Sequence, residues 1–266
     1  MKTVICLVFI LFLNFFSDLH IITTVPVKAD KIYADEFDNL YLISGNSLIK
    51  YNSAGKKLFV YDSSYGEKIS SVDISDPLKI LIFFKDQNRI VFTDNKLSPT
   101  GNEIYLENKN IFGNVLICKT ESGGIWIFDT SNRMLIKYDS DFKEIFRKSL
   151  FEINATPNYM IAEGNLLYLK TENNFVFVYD NLGNFDFTIN RKITSDFFTK
   201  GKIIQYFNKK EKSLISYNFE TGDSVFIRFP DSLSVQNAVQ SSHYLYFNDK
   251  SNVYVSKIVN ERKDKQ

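Results

Sequence analysis

The stretch DEFDNLYLISGNSLIKYNSAGK, residues 35–56, contains two landmarks that recur along the chain. The first is an aromatic residue inside a short apolar run, here Tyr41. The second follows roughly a dozen residues later and is an aromatic residue followed by an acid or an amide, here KYN at residues 50–52. The polar stretch SGN separates them. Two apolar runs separated by a short polar stretch predict two β-strands joined by a turn.

Both landmarks repeat with the same period. Successive aromatic residues of the first landmark are 38 to 43 residues apart, and they are Tyr41, Phe83, Trp126, Tyr168, Tyr206 and Tyr246. The second landmark recurs as FTD at 92–94, KYD at 137–139, VYD at 178–180 and SYN at 216–218. The sixth copy has Tyr254 without the acid or amide. Two landmarks that share one period indicate six copies of a single structural unit.

Each copy predicts four β-strands. Its apolar runs are short, rich in Phe, Tyr, Ile and Val, and bounded by Asn, Asp, Gly and Ser, which is typical of strands. Beyond the N-terminal segment, no stretch has the sustained 3.6-residue periodicity of a helix. A repeat of about 40 residues with four strands is a propeller blade. The sequence therefore predicts an all-β protein, a six-bladed β-propeller with four antiparallel strands in each blade.

The two ends of the chain predict how the ring closes. The sixth copy ends with its third strand, near residues 253–259, and a charged tail at 261–266 follows. Residues 21–27, IITTVPV, precede the first copy and have strand character. We expect this segment to be the outer strand of the last blade, where the missing donor of Pro26 is tolerated. The alternative is a disordered mature N-terminus.

The first 17 residues have the pattern of a signal peptide. Lys2 is followed by a nearly unbroken apolar run at residues 3–16, and polar residues return at Ser17. A membrane-spanning helix needs about 20 apolar residues, so a membrane anchor is the less favoured alternative. We expect a signal peptide at 1–17, a single propeller domain at 18–266 and no transmembrane segment in the mature chain.

Composition narrows the range of functions. The chain has 266 residues and a net charge of +1, which argues against nucleic-acid binding because that needs a basic surface. Two Cys and two His form neither a disulfide framework nor a zinc cluster. Cys118 lies in an apolar run and is expected to be a buried, inert thiol. We expect no metal and no cofactor.

Motifs for catalysis are not apparent. No G-x-S-x-G occurs, and His243 has no partner that the sequence identifies. The acids of the second landmark, such as Asp139, are expected to accept backbone N–H bonds in the turn that follows. Asp35, Glu36 and Asp38 are interpreted as a solvated turn, because no calcium-loop pattern surrounds them. We therefore predict no catalytic residue.

One end of the predicted disc is a candidate partner face. Turns between second and third strands meet there with the loops that join successive blades. These segments supply cations and aromatic residues, which are the usual energetic centres of protein interfaces. The candidate residues are Tyr65, Lys85, Arg89, Phe112, Arg133, Phe151, Tyr159, Phe197, Lys209 and Lys210. The alternative is a merely solvated rim.

The repeats resemble those of known propellers. Residues 35–56 resemble an NHL-type repeat, and ESGGIWIFDT at 121–130 resembles the repeats of extracytoplasmic sensor domains in bacterial two-component regulators. The mature chain is similar to small exported propellers of Gram-negative envelopes, including the TolB-like group. This resemblance implies a periplasmic or outer-membrane-associated protein, with the cell exterior as an alternative. It concerns architecture only, because one fold serves many functions.

Three functional hypotheses remain. The leading one is a monomeric, non-catalytic scaffold that binds an envelope protein or peptide. The second is a propeller hydrolase or lactonase with a calcium ion on the axis, which requires several convergent carboxylates and amides. The third is a sugar-binding or small-ligand-binding module, which predicts a deep axial pocket lined by aromatic residues and Asn.

Overall fold

A computed structural model describes residues 19–258. The predicted signal peptide at 1–17 lies outside these residues. Within the described range, 24 strands form six four-stranded antiparallel sheets, which confirms the predicted six-bladed β-propeller. No helix among residues 19–258 combines the length and the apolar character needed to cross a bilayer.

The strands follow one another blade by blade, after β1 (Ile21–Val25) at the start of the described chain. Blade 1 holds β2 (Lys31–Ala34), β3 (Leu40–Ser44), β4 (Ser47–Tyr51) and β5 (Lys57–Asp62). Blade 2 holds β6 (Ser71–Asp73), β7 (Ile80–Phe84), β8 (Arg89–Thr93) and β9 (Ile104–Tyr105). Blade 3 holds β10 (Val115–Lys119), β11 (Ile125–Asp129), β12 (Met134–Tyr138) and β13 (Glu144–Ser149).

The second half of the ring repeats this order. Blade 4 holds β14 (Pro157–Glu163), β15 (Leu166–Thr171), β16 (Val176–Asp180) and β17 (Phe185–Thr188). Blade 5 holds β18 (Phe197–Lys200), β19 (Ile203–Asn208), β20 (Ser213–Asn218) and β21 (Ser224–Arg228). Blade 6 holds β22 (Asn237–Gln240), β23 (Tyr244–Asn248) and β24 (Val253–Lys257).

The N-terminal strand closes the ring as predicted. Blade 6 takes β1 as its outer strand, in the order β1-β24-β23-β22, and Val25 pairs with Val253. The strand ends at Val25 because Pro26 has no N–H to continue the ladder. Gly55 of blade 1 packs against this strand with a φ of +75°, and a Cβ on it would lie 2.9 Å from the Thr23 methyl group. Glycine therefore suits both the turn and the close approach.

The hydrophobic core consists of six clusters, each between two neighbouring blades. The first-landmark aromatic residues all lie in these clusters or against them, and each is at most 3% exposed. Trp126 of blade 3, for example, belongs to the same cluster as Leu167 and Tyr179 of blade 4. A single four-stranded sheet leaves its apolar faces in water, so stacking the blades around an axis is what buries them.

The lysine of the second landmark links neighbouring blades. In blade 3, the Lys137 Nζ lies 4.8 Å from the centroid of the Trp126 ring and donates to the Asn181 carbonyl of blade 4 at 2.9 Å. In blade 1, Lys50 repeats the arrangement over Tyr41 and donates to the Asn95 carbonyl of blade 2. Burial lowers the pKa of both lysines. A cation–π contact and hydrogen bonds from the ammonium group compensate part of this cost.

The acid or amide of the second landmark caps the turn that follows it. Asp139 Oδ1 accepts from the backbone N–H groups of Asp141 and Lys143, both at 2.9 Å. Asn52, Asp94 and Asp180 make equivalent pairs of bonds. Asn218 accepts in the same way from Glu220 but takes its second bond from Thr221, one residue earlier in the turn. The predicted structural role of these residues is therefore confirmed, and it follows the Asx-turn pattern.

Antiparallel order gives the disc two different ends. We call the inter-blade end the one that carries the loops between blades and the turns between second and third strands. The hairpin end carries the turns between first and second strands and between third and fourth strands. The first strand of every blade lines a central channel that runs between these ends.

Candidate functional site

Three aromatic side chains project from the inter-blade end. Tyr65, Phe112 and Phe151 are 72%, 59% and 79% exposed. They lie in three successive inter-blade loops, those that join blades 1 and 2, blades 2 and 3, and blades 3 and 4. An arc of exposed aromatic rings on loops held by a rigid scaffold has the composition of an interface centre.

The sequence-predicted cations of this end are mostly exposed. Lys85, Arg133, Lys209 and Lys210 are all exposed, at the turns between second and third strands. Lys209 donates to the Gln236 side chain at 2.6 Å, and the Arg133 Nε donates to the Leu150 carbonyl at 3.3 Å. Phe175, which the sequence analysis did not select, is 42% exposed in the corresponding turn of blade 4.

Arg89 lies beneath the inter-blade end rather than on it. It is only 1% exposed, as the first residue of β8. Its guanidinium pairs with Glu67 and with Glu103, the latter at 2.7 Å, and lies 4.0 Å from the Phe84 ring centroid and 5.8 Å from that of Tyr65. Because Glu103 directly precedes β9, the shortest strand of blade 2, Arg89 ties this outer strand and the Tyr65 loop to the core.

Tyr159 and Phe197 are strand residues, so the expectation that they lie in loops is wrong. Phe197 is the first residue of β18 and is fully buried. Tyr159 lies within β14, lines the central channel and donates its hydroxyl to the Phe197 carbonyl at 2.8 Å. Both residues belong to the inner strands of their blades, which places both rings inside the disc.

The central channel contains a large cavity. Its volume is about 830 Å³, which is within the range of small-molecule sites. The rings of Tyr33, Tyr159 and Phe198 line it together with apolar side chains of blades 3 and 4, and Asn158 and Gln205 add amides. An axial pocket with aromatic residues and amides is the arrangement that the small-ligand hypothesis predicted.

Two contacts between blades 1 and 5 cross the channel. Lys31 Nζ lies 2.9 Å from Asp196 Oδ2, and the Tyr33 and Phe198 rings meet edge to face at 6.2 Å between centroids. Blade 6 lies between these two blades in the ring, so both contacts pass in front of its inner strand, within the channel. Burial alone would lower the pKa of Lys31, but Tyr33 and Asp196 outweigh it and raise that pKa.

The channel wall also holds perturbed titratable groups. Burial raises the pKa of Tyr33, Tyr159 and Cys118, and the nearby Asp73 carboxylate adds to each increase. Cys118 is 1% exposed, as expected for an inert thiol. Groups with strongly shifted pKa values that share a cavity favour a functional site there.

His243 does have a partner that the sequence analysis missed. Its Nδ1 lies 2.8 Å from Asp38 Oδ2, and Asp38 Oδ1 accepts from the Ser241 hydroxyl at 2.6 Å. The pair joins blade 6 to blade 1 beside the ring closure. More than 200 residues separate the two side chains in the chain, so no local motif could have signalled this contact.

The calcium hypothesis required convergent acidic ligands. Residues 19–258 contain no group of three or more His, Cys, Asp or Glu that could hold a metal ion. Asp35 of the acidic turn is buried, and Oδ1 accepts from the backbone N–H groups of Phe37 and Asn39. Tyr41 donates to its other oxygen at 3.0 Å. Asp35 thus stabilises the turn before β3.

Comparison with known proteins supports the fold only. No protein-family model matches the chain, and no curated protein matches it in sequence. Virginiamycin B lyase from Staphylococcus aureus is similar in structure, with 13% identity, a TM-score of 0.61 and coverage of 89% of this chain and 99% of that one. The Pan2 WD40 domain of Neurospora crassa has 8% identity, a TM-score of 0.62 and coverage of 88% and 90%.

These likenesses define a class, the β-propellers. A lyase and a WD40 domain resemble the chain equally well, at identities too low to carry function across. The fold serves catalysis and partner binding alike, so function has to be argued from the sites of this chain.

Proposed function

We propose that this protein is a non-catalytic, monomeric propeller that binds a protein or peptide partner through its inter-blade end. The arc of Tyr65, Phe112 and Phe151 carries the proposal, because such large apolar side chains cost free energy when they remain in water. Lys85, Arg133, Lys209 and Lys210 supply a polar surround that discriminates between partners.

We further propose that the partner belongs to a bacterial envelope complex. The signal-peptide pattern at 1–17 supports export to the periplasm or its outer-membrane side, with residues 18–266 forming the mature propeller. The similarity of the mature chain to small exported propellers, including the TolB-like group, supports the same compartment. N-terminal sequencing of the protein from fractionated cells tests this, since an uncleaved protein in the cytoplasmic fraction would contradict export.

A matched pair of triple variants tests the binding face. In the first, Tyr65, Phe112 and Phe151 are each changed to Ser. In the second, the same change is made at Phe37, Leu78 and Leu182, which are 66% to 69% exposed in turns of the hairpin end. Affinity capture from envelope extracts should recover the same partner with the wild type and the second variant, and lose it with the first.

The outcomes distinguish specific binding of a partner from non-specific hydrophobic binding. Equal loss in both variants would indicate non-specific hydrophobic capture. Unchanged capture by the first variant would show that the inter-blade end is not the binding face.

A second candidate function is supported by the channel. Its volume of about 830 Å³ and its aromatic lining suit a small ligand. Native mass spectrometry of the protein purified from its own envelope should then detect a bound small molecule that is lost when Phe198 is changed to Asp. A mass equal to that of the bare polypeptide chain would count against this function.

A further inference from the structure

The side chains around the central channel carry an excess of negative charge. The lining includes five carboxylates, of Asp35, Glu36, Asp73, Glu163 and Asp196, and three ammonium groups, of Lys31, Lys85 and Lys200. Lys85 and Lys200 are exposed, at opposite ends of the disc, and Glu36 and Asp196 are exposed as well. Lys31, the remaining cation, is paired with Asp196. The cavity therefore favours a positively charged occupant over an anion of the same size.

Several carboxylates of the lining already have structural partners. Asp35 caps the turn before β3, and Glu163 accepts from the Gly201 N–H at 2.8 Å. Asp196 of blade 5 pairs with Lys31 of blade 1. These groups stabilise the walls of the cavity, and their charges are partly compensated.

Asp73 is different, because no ion pair among residues 19–258 includes it. Its two oxygens accept backbone N–H bonds, from Ser75 at 2.9 Å and from Lys119 at 2.7 Å. The Lys119 ammonium feels the field of Asp73 but donates to the carbonyl oxygens of Asp76 and Lys79. Each carboxylate oxygen can accept more than one hydrogen bond, so Asp73 retains capacity for a cationic donor.

Aromatic rings share the cavity with this carboxylate. Tyr33, Tyr159 and Phe198 come from blades 1, 4 and 5 and line the same space. The faces of aromatic rings attract cations, and the attraction grows when water is excluded. A carboxylate together with several rings is the chemistry that recognises an amine bearing an apolar group.

From this we infer that the channel is a binding site for a small organic cation, an amine with an aromatic or apolar substituent, with Asp73 receiving the ammonium group and the rings receiving the substituent. The inference rests on the second candidate function, that the channel takes a small ligand. It is independent of the partner face at the inter-blade end.

Methionine methyl groups give a built-in test. Met160 lines the channel, whereas Met134 lies in the cluster between blades 2 and 3, away from it. With ¹³C-methyl methionine, the wild-type protein is titrated at neutral pH with three probes of nearly one shape: phenethylamine, 2-phenylethanol and phenylacetate. Phenethylamine should shift the Met160 signal, leave Met134 unchanged and bind at least about tenfold more tightly than the other two.

A pair of variants tests whether Asp73 is the residue that binds the ammonium group. Asp73→Asn should weaken phenethylamine binding by about tenfold or more and leave 2-phenylethanol nearly unaffected. Asp76→Asn is the matched control, since Asp76 is exposed in the same turn but does not line the channel. It should bind phenethylamine like the wild type. If Asp73→Asn does not fold, probe selectivity in the wild type decides by itself.

The contrary outcomes are distinguishable. Equal binding of all three probes at Met160, or wild-type affinity in Asp73→Asn, would overturn the cation inference while the channel still bound small ligands. If no probe moved Met160, both the inference and the channel function on which it rests would be wrong.

Discussion

Aromatic residues occupy two contrasting regions of this propeller. Inside the blades, the aromatic residue of the second strand recurs in every copy, and Trp126, for example, is 2% exposed. In the inter-blade loops, the aromatic residues follow no period, and Phe151 is 79% exposed. The repeated aromatic residues of the second strands serve the packing that every blade needs. The aromatic residues of the loops occur in only part of the ring and are available to bind a partner. The comparison predicts that a substitution inside a blade lowers stability, whereas a substitution in an inter-blade loop lowers partner binding and leaves stability nearly unchanged.

Trp126→Ala should have the largest effect on stability. It removes a buried ring that contacts Phe146 edge to face at 5.4 Å and receives the Lys137 ammonium. We expect the free energy of unfolding to fall by about 3–5 kcal/mol. Urea unfolding followed by far-UV circular dichroism measures the change. An unchanged midpoint would show that the repeated aromatic residue is not structural.

Arg89→Met should have the next largest effect. The substitution keeps part of the aliphatic stem but leaves Glu67 and Glu103 without their buried cation. Because Glu103 is partly exposed, we expect a loss of about 3 kcal/mol, at the lower end for a broken buried pair. Limited proteolysis should also cut the Tyr65 loop faster, since Arg89 ties that loop to the core. Wild-type cleavage rates would contradict this connecting role.

Asp38→Asn should have a smaller effect, at the ring closure. Burial alone would raise the pKa of Asp38, but hydrogen bonds from Ser241 and His243 outweigh it and lower that pKa. Weakening these bonds should cost about 2 kcal/mol at neutral pH. Urea midpoints of wild type and variant give the difference.

The same carboxylate predicts a pH dependence. A lowered folded-state pKa means that its stabilisation is complete well above the pKa of an unfolded aspartate, about 4, and is lost as the pH falls through the lower folded-state pKa. The stability difference between wild type and Asp38→Asn should therefore shrink as the pH falls from about 5 to about 3. A stability difference that grows as the pH falls below about 5 would refute the lowered pKa of Asp38.

Phe151→Ser should have the smallest effect on folding. The side chain is exposed and its loop is outside the strands, so we expect a change within about 0.5 kcal/mol. The melting temperature should match that of the wild type while partner capture falls. A large loss of stability would place Phe151 with the blade interior and remove the distinction between the two regions.

Much of the fold could be predicted because it depends on local, repeated patterns. The period of Tyr41 and its equivalents specified six blades, and the apolar segment before the first copy predicted the closure by β1. The turn-capping role of residues such as Asp139 was also predictable, because an Asx turn is completed within a few residues.

The candidate sites were predicted less well. The solvent-exposed positions of Tyr65, Phe112 and Phe151 agree with their assignment to loops. The burial of Arg89 was not predictable, because Glu67 and Glu103 are 22 and 14 residues away along the chain and only the folded blade brings them together. The inner position of Tyr159 likewise depends on where β14 begins.

The amino-acid sequence by itself determined that the chain forms a ring of four-stranded blades, because hydrophobic periodicity and turn residues act between near neighbours. Only the tertiary structure decided which side chains meet inside the channel and which meet between blades 1 and 6. Lys31 meets Asp196 after 165 residues, and Asp38 meets His243 after 205. Contacts of that separation depend on the closed geometry of the ring, and the Lys31–Asp196 pair lines the channel in which Asp73 is left without an ionic partner among the described residues.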